Sequence, residues 1–350
     1  MTLVLLGDMS STTRRIVVGA LQDEPDMQSV GELRPKDDVV ALIKQSRPNL
    51  IIIGIGAKGQ DPYETTKRIM AEAPTPIVLI TNGDDVGDVQ ASVHALQSGA
   101  LAVLSTPEST DPGGAEDARR RFVAALRAMS EVKVVRRWRE TGKPREGSPA
   151  PVPRRARSPR LIAIAASTGG PAALQQLLSD LPPDFPVPIL VVQHIANGFT
   201  EGLVQWLNTV CSLTVKIAVH GEAFKPRTVY FAADGSHLGV SRRATIMLSD
   251  EPPIDGFRPA ANFLFDSAAK VFGQDLAVVV LTGMGRDGVA GLRTVRQLGG
   301  DVIAQDEASS VVYGMPRAAY EEGLVDSVLP LSFIAPALMT MIDNSPGGGG

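Results

Sequence analysis

Ser167, His194 and Asp287 each stand at the carboxyl end of an apolar run, and together they can make a hydroxyl nucleophilic at neutral pH. Leu161-Ile162-Ala163-Ile164-Ala165 leads into Ala166-Ser167-Thr168-Gly169-Gly170-Pro171. Ile189-Leu190-Val191-Val192 leads into Gln193-His194-Ile195, and Leu276 to Leu281 leads into Thr282-Gly283-Met284-Gly285-Arg286-Asp287-Gly288. An imidazole can take the serine proton, and a carboxylate can hold that imidazole in one tautomer and stabilise its cation. Singly, each residue has a plainer reading: Ser167 as a helix cap, His194 as a hydrogen-bonded core histidine, Asp287 as a turn residue before glycine. The glycines before Pro171 also suit a backbone cradle for phosphate. Neither the lysine of a P-loop nor the spacing of a dinucleotide fingerprint accompanies them. The chain order Ser, His, Asp and the absence of a Gly-x-Ser-x-Gly elbow set the chain apart from the α/β-hydrolases.

Three apolar runs ending in polar residues describe parallel strands whose carboxyl ends line a crevice. Upstream, strands are expected at Leu3 to Leu6, Leu50 to Ile53, Ile77 to Ile80 and Leu101 to Leu104. Helices are expected at Ser11 to Gln22, Lys36 to Gln45, Tyr63 to Ala71, Val86 to Gln97 and Ala115 to Met129. Strand–helix alternation in both halves gives an α/β chain of two doubly wound parallel-sheet domains. A Pro- and Arg-rich stretch, 138–159, has no apolar periodicity and reads as an extended linker. Residues 1–137 then form the first domain, 160–342 the second, and 343–350 a disordered tail.

From residue 160 to about 342 the sequence resembles the catalytic domain of the chemotaxis protein-glutamate methylesterases, the CheB family. The resemblance rests on Ser167-Thr168-Gly169-Gly170-Pro171, Gln193-His194-Ile195, Phe199-Thr200, Val229-Tyr230-Phe231-Ala232, Gly235-Ser236-His237-Leu238 and Arg258-Pro259. It continues through Leu281 to Gly288 and Ala304 to Pro316. It implies hydrolysis of γ-glutamyl methyl esters, and deamidation of glutamines, on the cytoplasmic helical region of methyl-accepting chemotaxis receptors. Ser167 would be the nucleophile, His194 the general base and Asp287 its orienting carboxylate. The Met284 backbone N–H, with Thr168 beside it, would bind the oxyanion, and Gly169 and Gly170 would leave room for the substrate helix. No cofactor and no metal are implied. Ala165, Ala196 and Asn262 depart from the family's usual glycine, proline and aspartate. The alternative class is a non-catalytic signalling adapter.

The first half resembles the receiver domain of response regulators, which this family carries at its N-terminus. Position by position, the acidic pair that holds Mg²⁺ becomes Gly7 and Asp8, and the phosphoacceptor aspartate becomes Gly54. The conserved-type hydroxyl is Thr81, and the lysine before the last proline is Thr106. Without a carboxylate to phosphorylate no acyl phosphate forms, so the resemblance implies the fold without its chemistry. A chemotaxis kinase or another regulatory protein is the further partner implied.

Composition agrees. The 350 residues, 44% of them hydrophobic, can supply two cores, and one cysteine, Cys211, excludes an internal disulfide framework. The four histidines, His94, His194, His220 and His237, show no metal-site spacing with it. A formal charge of −4 gives no general nucleic-acid signal. The opening residues Met1 to Asp8 lack the basic region of a signal peptide, and no apolar run spans a bilayer. A cytoplasmic location is expected.

Overall fold

The computed structural model describes residues 1–34, 37–56, 61–81, 95, 98–107, 112–130, 132, 158–195 and 199–343. The chain divides into two compact units, Met1–Lys143 and Pro144–Gly350.

Apolar runs make the first unit's strands: β1 (Thr2–Leu6), β3 (Leu50–Gly54), β4 (Ile77–Thr81) and β5 (Ala102–Ser105). Every residue of β3 and β4 is buried, as expected for parallel strands covered on both faces. Helices α1 (Ser11–Gln22), α2 (Val39–Ser46), α3 (Pro62–Glu72) and α4 (Pro112–Ser130) connect or follow them. Their starts follow capping chemistry: the Ser10 hydroxyl accepts from Thr13 N at 3.1 Å and the Asp61 carboxylate from Tyr63 N at 2.8 Å. Asp38 caps α2 in the same way, which moves its start three residues beyond the expected Lys36. One strand escaped the sequence reading, β2 (Met27–Glu32), an edge strand that fully buries only Met27 and so lacks an apolar run. The sheet order β2-β1-β3-β4-β5, all parallel, is a doubly wound arrangement with a switch point between β1 and β3. The expected helix Val86 to Gln97 lies, apart from Ala95, outside the described residues.

The second unit is built on a seven-stranded parallel sheet, β14-β13-β12-β6-β7-β9-β8. Its strands are β6 (Leu161–Ala166), β7 (Ile189–Gln193), β8 (Thr214–Ile217), β9 (Thr228–Phe231), β12 (Leu276–Val280), β13 (Asp301–Gln305) and β14 (Ser327–Leu329). A separate antiparallel pair, β10 (His237–Val240) and β11 (Ile246–Ser249), stands apart from it. The helices are α5 (Gly170–Ser179), α6 (Thr200–Val210), α7 (Ala261–Phe272), α8 (Val289–Gln297), α9 (Met315–Glu321) and α10 (Leu331–Asp343). β6, β7 and β12 are buried at every residue. Leu264, Phe265 and Ala268 of α7 close one face over them, with Leu292 and Val295 of α8.

Residues 138–157 of the expected linker and 344–350 of the expected tail lie outside the described residues. Ser158 and Pro159 belong with the second unit: the Ser158 hydroxyl donates to Ile342 O at 2.9 Å, and Pro159 is buried. No described helix is long and apolar enough to cross a membrane.

Candidate active site

β6 is where the second sheet changes direction: the chain adds β7 on one side and later β12 on the other. Crevices for ligands open at such points, outside the carboxyl ends of the strands. Ser167 directly follows β6 and His194 directly follows β7. Ala166 pairs with Gln193 in register, and His194 N donates to Ala166 O at 2.9 Å, so Ser167 and His194 are neighbours across adjacent strands. Gln193 binds the two strand ends together, its Nε2 donating to Ser167 O at 2.9 Å and to His194 O at 2.8 Å. From the other side, Ser167 N donates to Thr282 O at 3.0 Å.

Asp287 reaches His194 from the loop after β12, with its Oδ2 2.9 Å from His194 Nε2. A carboxylate only accepts, so Nε2 carries the hydrogen and Nδ1 keeps its lone pair. Nδ1 is buried and no described group reaches it. Phe257 stacks on the ring with centroids 4.2 Å apart and planes 11° from parallel, which fixes its orientation. The Asp287 side chain is only 1% exposed.

That carboxylate also caps a helix. Asp287 Oδ2 accepts from Ala261 N at 2.6 Å and Oδ1 from Asn262 N at 3.0 Å, at the start of α7, which has no cap of its own. The positive end of the helix dipole favours negative charge there. Asn262 returns the favour to α8: its Oδ1 accepts from Gly288 N and Gly291 N, each at 3.0 Å. Two helix starts are thus cross-capped: α8 by Asn262 from the first turn of α7, and α7 by Asp287, two residues before α8. Close approach is possible because Gly291 has no side chain; a Cβ there would lie 2.8 Å from Asn262 O. His237 completes the α7 start: its Nδ1 accepts from Ala260 N at 3.2 Å while its Nε2 lies 3.1 Å from Pro252 O. Fully buried and stacked on Phe263, it is a structural histidine.

The loop Thr282–Asp287 faces Ser167. The Thr282 hydroxyl donates to Thr168 O at 2.9 Å and accepts from Val312 N at 2.9 Å. Gly283 packs so tightly that a Cβ would lie 2.8 Å from Ser167 Cβ. Among the described residues, neither Met284 N nor Thr168 N donates to a protein acceptor. Gly169 and Gly170 also lie against the protein's own side chains. A Cβ on Gly169 would meet Val311 at 2.5 Å, and one on Gly170 would meet the Gln193 Oε1 at 2.0 Å. Both glycines make space for the protein's own side chains. The Gly169 backbone is also left-handed, with φ of 78°. Burial pushes the nearby Tyr313 phenol up, with Glu307 adding to the shift, so it stays protonated at neutral pH. Burial likewise pushes the Cys211 thiol up, away from a reactive thiolate. His220 is exposed and lies on the backbone of Leu248; His94 lies outside the described residues.

Comparison with known proteins decides the family. Residues 162–338 match the family model described as CheB methylesterase. The chain belongs to the CheB methylesterase family. It is 44% identical to protein-glutamate methylesterase/protein-glutamine glutaminase 4 of Myxococcus xanthus, over 98% of each chain. It is 42% identical to the protein-glutamate methylesterase/protein-glutamine glutaminase of the group 3 operon of Rhizobium meliloti, over 96% of this chain and 95% of that one. The crystal structure of the Thermotoga maritima CheB methylesterase catalytic domain matches 53% of this chain and all of its own, with 41% identity and a TM-score of 0.51. Like those curated relatives, this CheB-family chain is an enzyme of the protein-glutamate methylesterase type.

In this CheB-family chain the degenerate receiver positions gather at the carboxyl edge of the first sheet. Gly7 follows β1, Gly54 ends β3, Thr81 ends β4, and Thr106 follows β5, with Thr106 N donating to Thr81 O at 2.8 Å. Packing around Gly7 and Gly54 leaves no room for side chains. A Cβ on Gly54 would lie 2.4 Å from Met9 Cβ and 2.7 Å from Met9 Cα, and one on Gly7 would lie 2.8 Å from Ile53 Cγ1. With Asp8 the sole carboxylate of that set, these residues do not fit Mg²⁺. No cluster of His, Cys, Asp and Glu suited to a metal occurs among the described residues.

The sequence reading passed over Gln193, Phe257, Asn262 and Thr282 as working parts of the site. Gln193 and Asn262 were visible as polar residues beside apolar segments, but their partners are distant in sequence.

Proposed function

We propose that this chain hydrolyses γ-glutamyl methyl esters, and deamidates glutamines, on the cytoplasmic helical region of methyl-accepting chemotaxis receptors, using Ser167, His194 and Asp287. The observation that carries the reading is the convergence of these three residues at one sheet switch point, with His194 and Asp287 joined at 2.9 Å. The names of the curated relatives supply the substrate class. Ester and amide are one chemistry here, acyl transfer from a side-chain carbonyl with methanol or ammonia leaving.

Ser167 Oγ attacks the carbonyl carbon while its proton passes to His194 Nδ1. Asp287 stabilises the resulting imidazolium through Nε2–H. The tetrahedral oxyanion takes hydrogen bonds from the uncommitted amides of Met284 and Thr168; one such donor is typically worth about 100- to 1000-fold in rate. Collapse breaks the C–O or C–N bond, and Nδ1–H protonates the departing methanol or ammonia. Water then attacks the acyl-serine, Nδ1 takes its proton, and glutamate leaves with Ser167 restored.

The test is methanol release from methylated receptor membranes. The wild-type chain releases methanol; Ser167→Ala, which removes only a hydroxyl, does not, and keeps its melting temperature. Full activity in Ser167→Ala sinks the acyl-serine mechanism. Absence of release by the wild type favours a signalling adapter without catalysis.

A further inference from the structure

A cleft of about 390 Å³ is lined by His194, Gly235, Pro253, Phe257 and Arg258 among others. It is larger than a methyl ester needs, and the cation among its described lining residues is Arg258. The Arg258 Nη1 donates to Asp250 O at 3.2 Å and to Glu251 O at 3.3 Å, so the guanidinium is held by backbone carbonyls. The Asp250 carboxylate itself accepts from the Ser236 hydroxyl at 3.1 Å. Among the described residues, no carboxylate lies within ion-pair distance of Arg258. Lys216, Lys270, Arg286, Arg293, Arg296 and Arg317 of the same unit all have one. Of the cations without a carboxylate, Arg258 is the one in this cleft.

Two carbonyls at Nη1 leave Nη2 and Nε with N–H donors to offer. A half-buried guanidinium with free donors in a fixed plane matches a carboxylate, which it can bind bidentately. The scissile group is neutral, whether ester or amide, so it does not call for a cation. A side chain one helical turn from the ester does: residues three and four apart share a helix face with Cβ atoms about 5–6 Å apart. While the ester sits at Ser167, that neighbour can reach past His194.

We propose that Arg258 forms a specificity subsite for an acidic side chain lying one helical turn from the reacting glutamyl ester. The inference rests on the esterase reading above. It makes Arg258 a reader of the substrate's charge pattern, with no part in the chemistry at Ser167.

The experiment uses helical peptides carrying one γ-glutamyl methyl ester, with either Glu or Ala at the positions within one turn of it. Methanol release by the full-length chain gives kcat and KM for each. The wild type should favour the Glu-flanked peptide by about tenfold in kcat/KM, the size of one charge-assisted contact, with most of the difference in KM. High salt should shrink that preference. Arg258→Ala should remove the preference and leave the Ala-flanked peptide's rate unchanged, which also shows that the variant folds. Arg258→Lys, which keeps the charge without the fork, should restore part of it. Equal wild-type rates on both peptides, or equal losses on both in Arg258→Ala, overturn the subsite and leave the esterase standing. A wild type that hydrolyses neither peptide overturns both.

Discussion

His194 turns Nε2 toward Asp287, so in the proposed mechanism Nδ1 is the nitrogen that handles the serine proton. Only an imidazole with a lone pair on Nδ1 can do so, so removing the ring should abolish methanol release. Methanol release from methylated receptor checks this: His194→Gln should be nearly inactive. His220→Gln, at an exposed ring, should be close to wild type. Asp287→Asn is the sharper probe. If its amide NH₂ faces Nε2, the imidazole hydrogen is forced onto Nδ1, the wrong tautomer for a base, and kcat should fall by as much as about 10⁴-fold. A loss under tenfold in a folded Asp287→Asn protein would show that Asp287 does not set the tautomer. His237→Gln should act differently, lowering the melting temperature, because its ring satisfies Ala260 N at the start of α7.

At the scale of elements, the Asp287 carboxylate is positioned by two helices that cap each other. Asp287 satisfies the first amides of α7, and Asn262 satisfies Gly288 N and Gly291 N around the start of α8. Loss of an N-cap costs about 0.5–2 kcal/mol, and each buried amide left bare costs about 1–3 kcal/mol. Asn262→Ala should therefore lower the melting temperature. It should also lower kcat more than it raises KM, because the loop that carries Asp287 loosens. Asn262→Asp keeps an acceptor for both amides and should recover most of the stability, although it places a second carboxylate beside Asp287. Thermal unfolding paired with methanol-release kinetics separates these outcomes. Equal activity in Asn262→Ala and wild type would reduce the cross-cap to a packing detail.

At the scale of the whole molecule, the two units differ in what their sheet edges retain. The second unit contains Ser167, His194 and Asp287 together, so residues 158–343 alone should release methanol at the rate of the full chain; a dead but folded fragment would count against this. We propose that the first unit is a receiver-like fold without a phosphorylation site, so acetyl phosphate should label none of its aspartates. Gly54→Asp should remain unlabelled and should destabilise the unit, since its Cβ falls on Met9. The triple change Gly7→Asp, Gly54→Asp and Thr106→Lys restores the charges but meets the same obstacle, so phosphorylation requires movement of the segment carrying Met9. Stable radioactive labelling of an aspartate in the unmodified first unit, located by peptide mapping, would contradict a phosphorylation-blind receiver.

Several of these features were already fixed by local order along the chain. Continuous apolar runs become buried parallel strands because both faces need covering, and a polar residue at the end of such a run must emerge at the sheet's edge; Ser167 and His194 were legible on that ground. Apolar periodicity placed the starts of α1 and α3 to within a residue for the same local reason, and finding Gly54 at the end of its apolar run needed only position. β2 was not legible, since an edge strand buries too little to impose a pattern. Nor were the roles of Asn262, Gln193 and Phe257, whose partners are brought to them only by strand pairing and helix packing. Which imidazole nitrogen meets Asp287 is likewise a matter of ring orientation in the folded site. Gly169 and Gly170 show the limit most plainly. Sequence says only that a side chain is missing there; tertiary packing decides that Val311 and Gln193 fill the space.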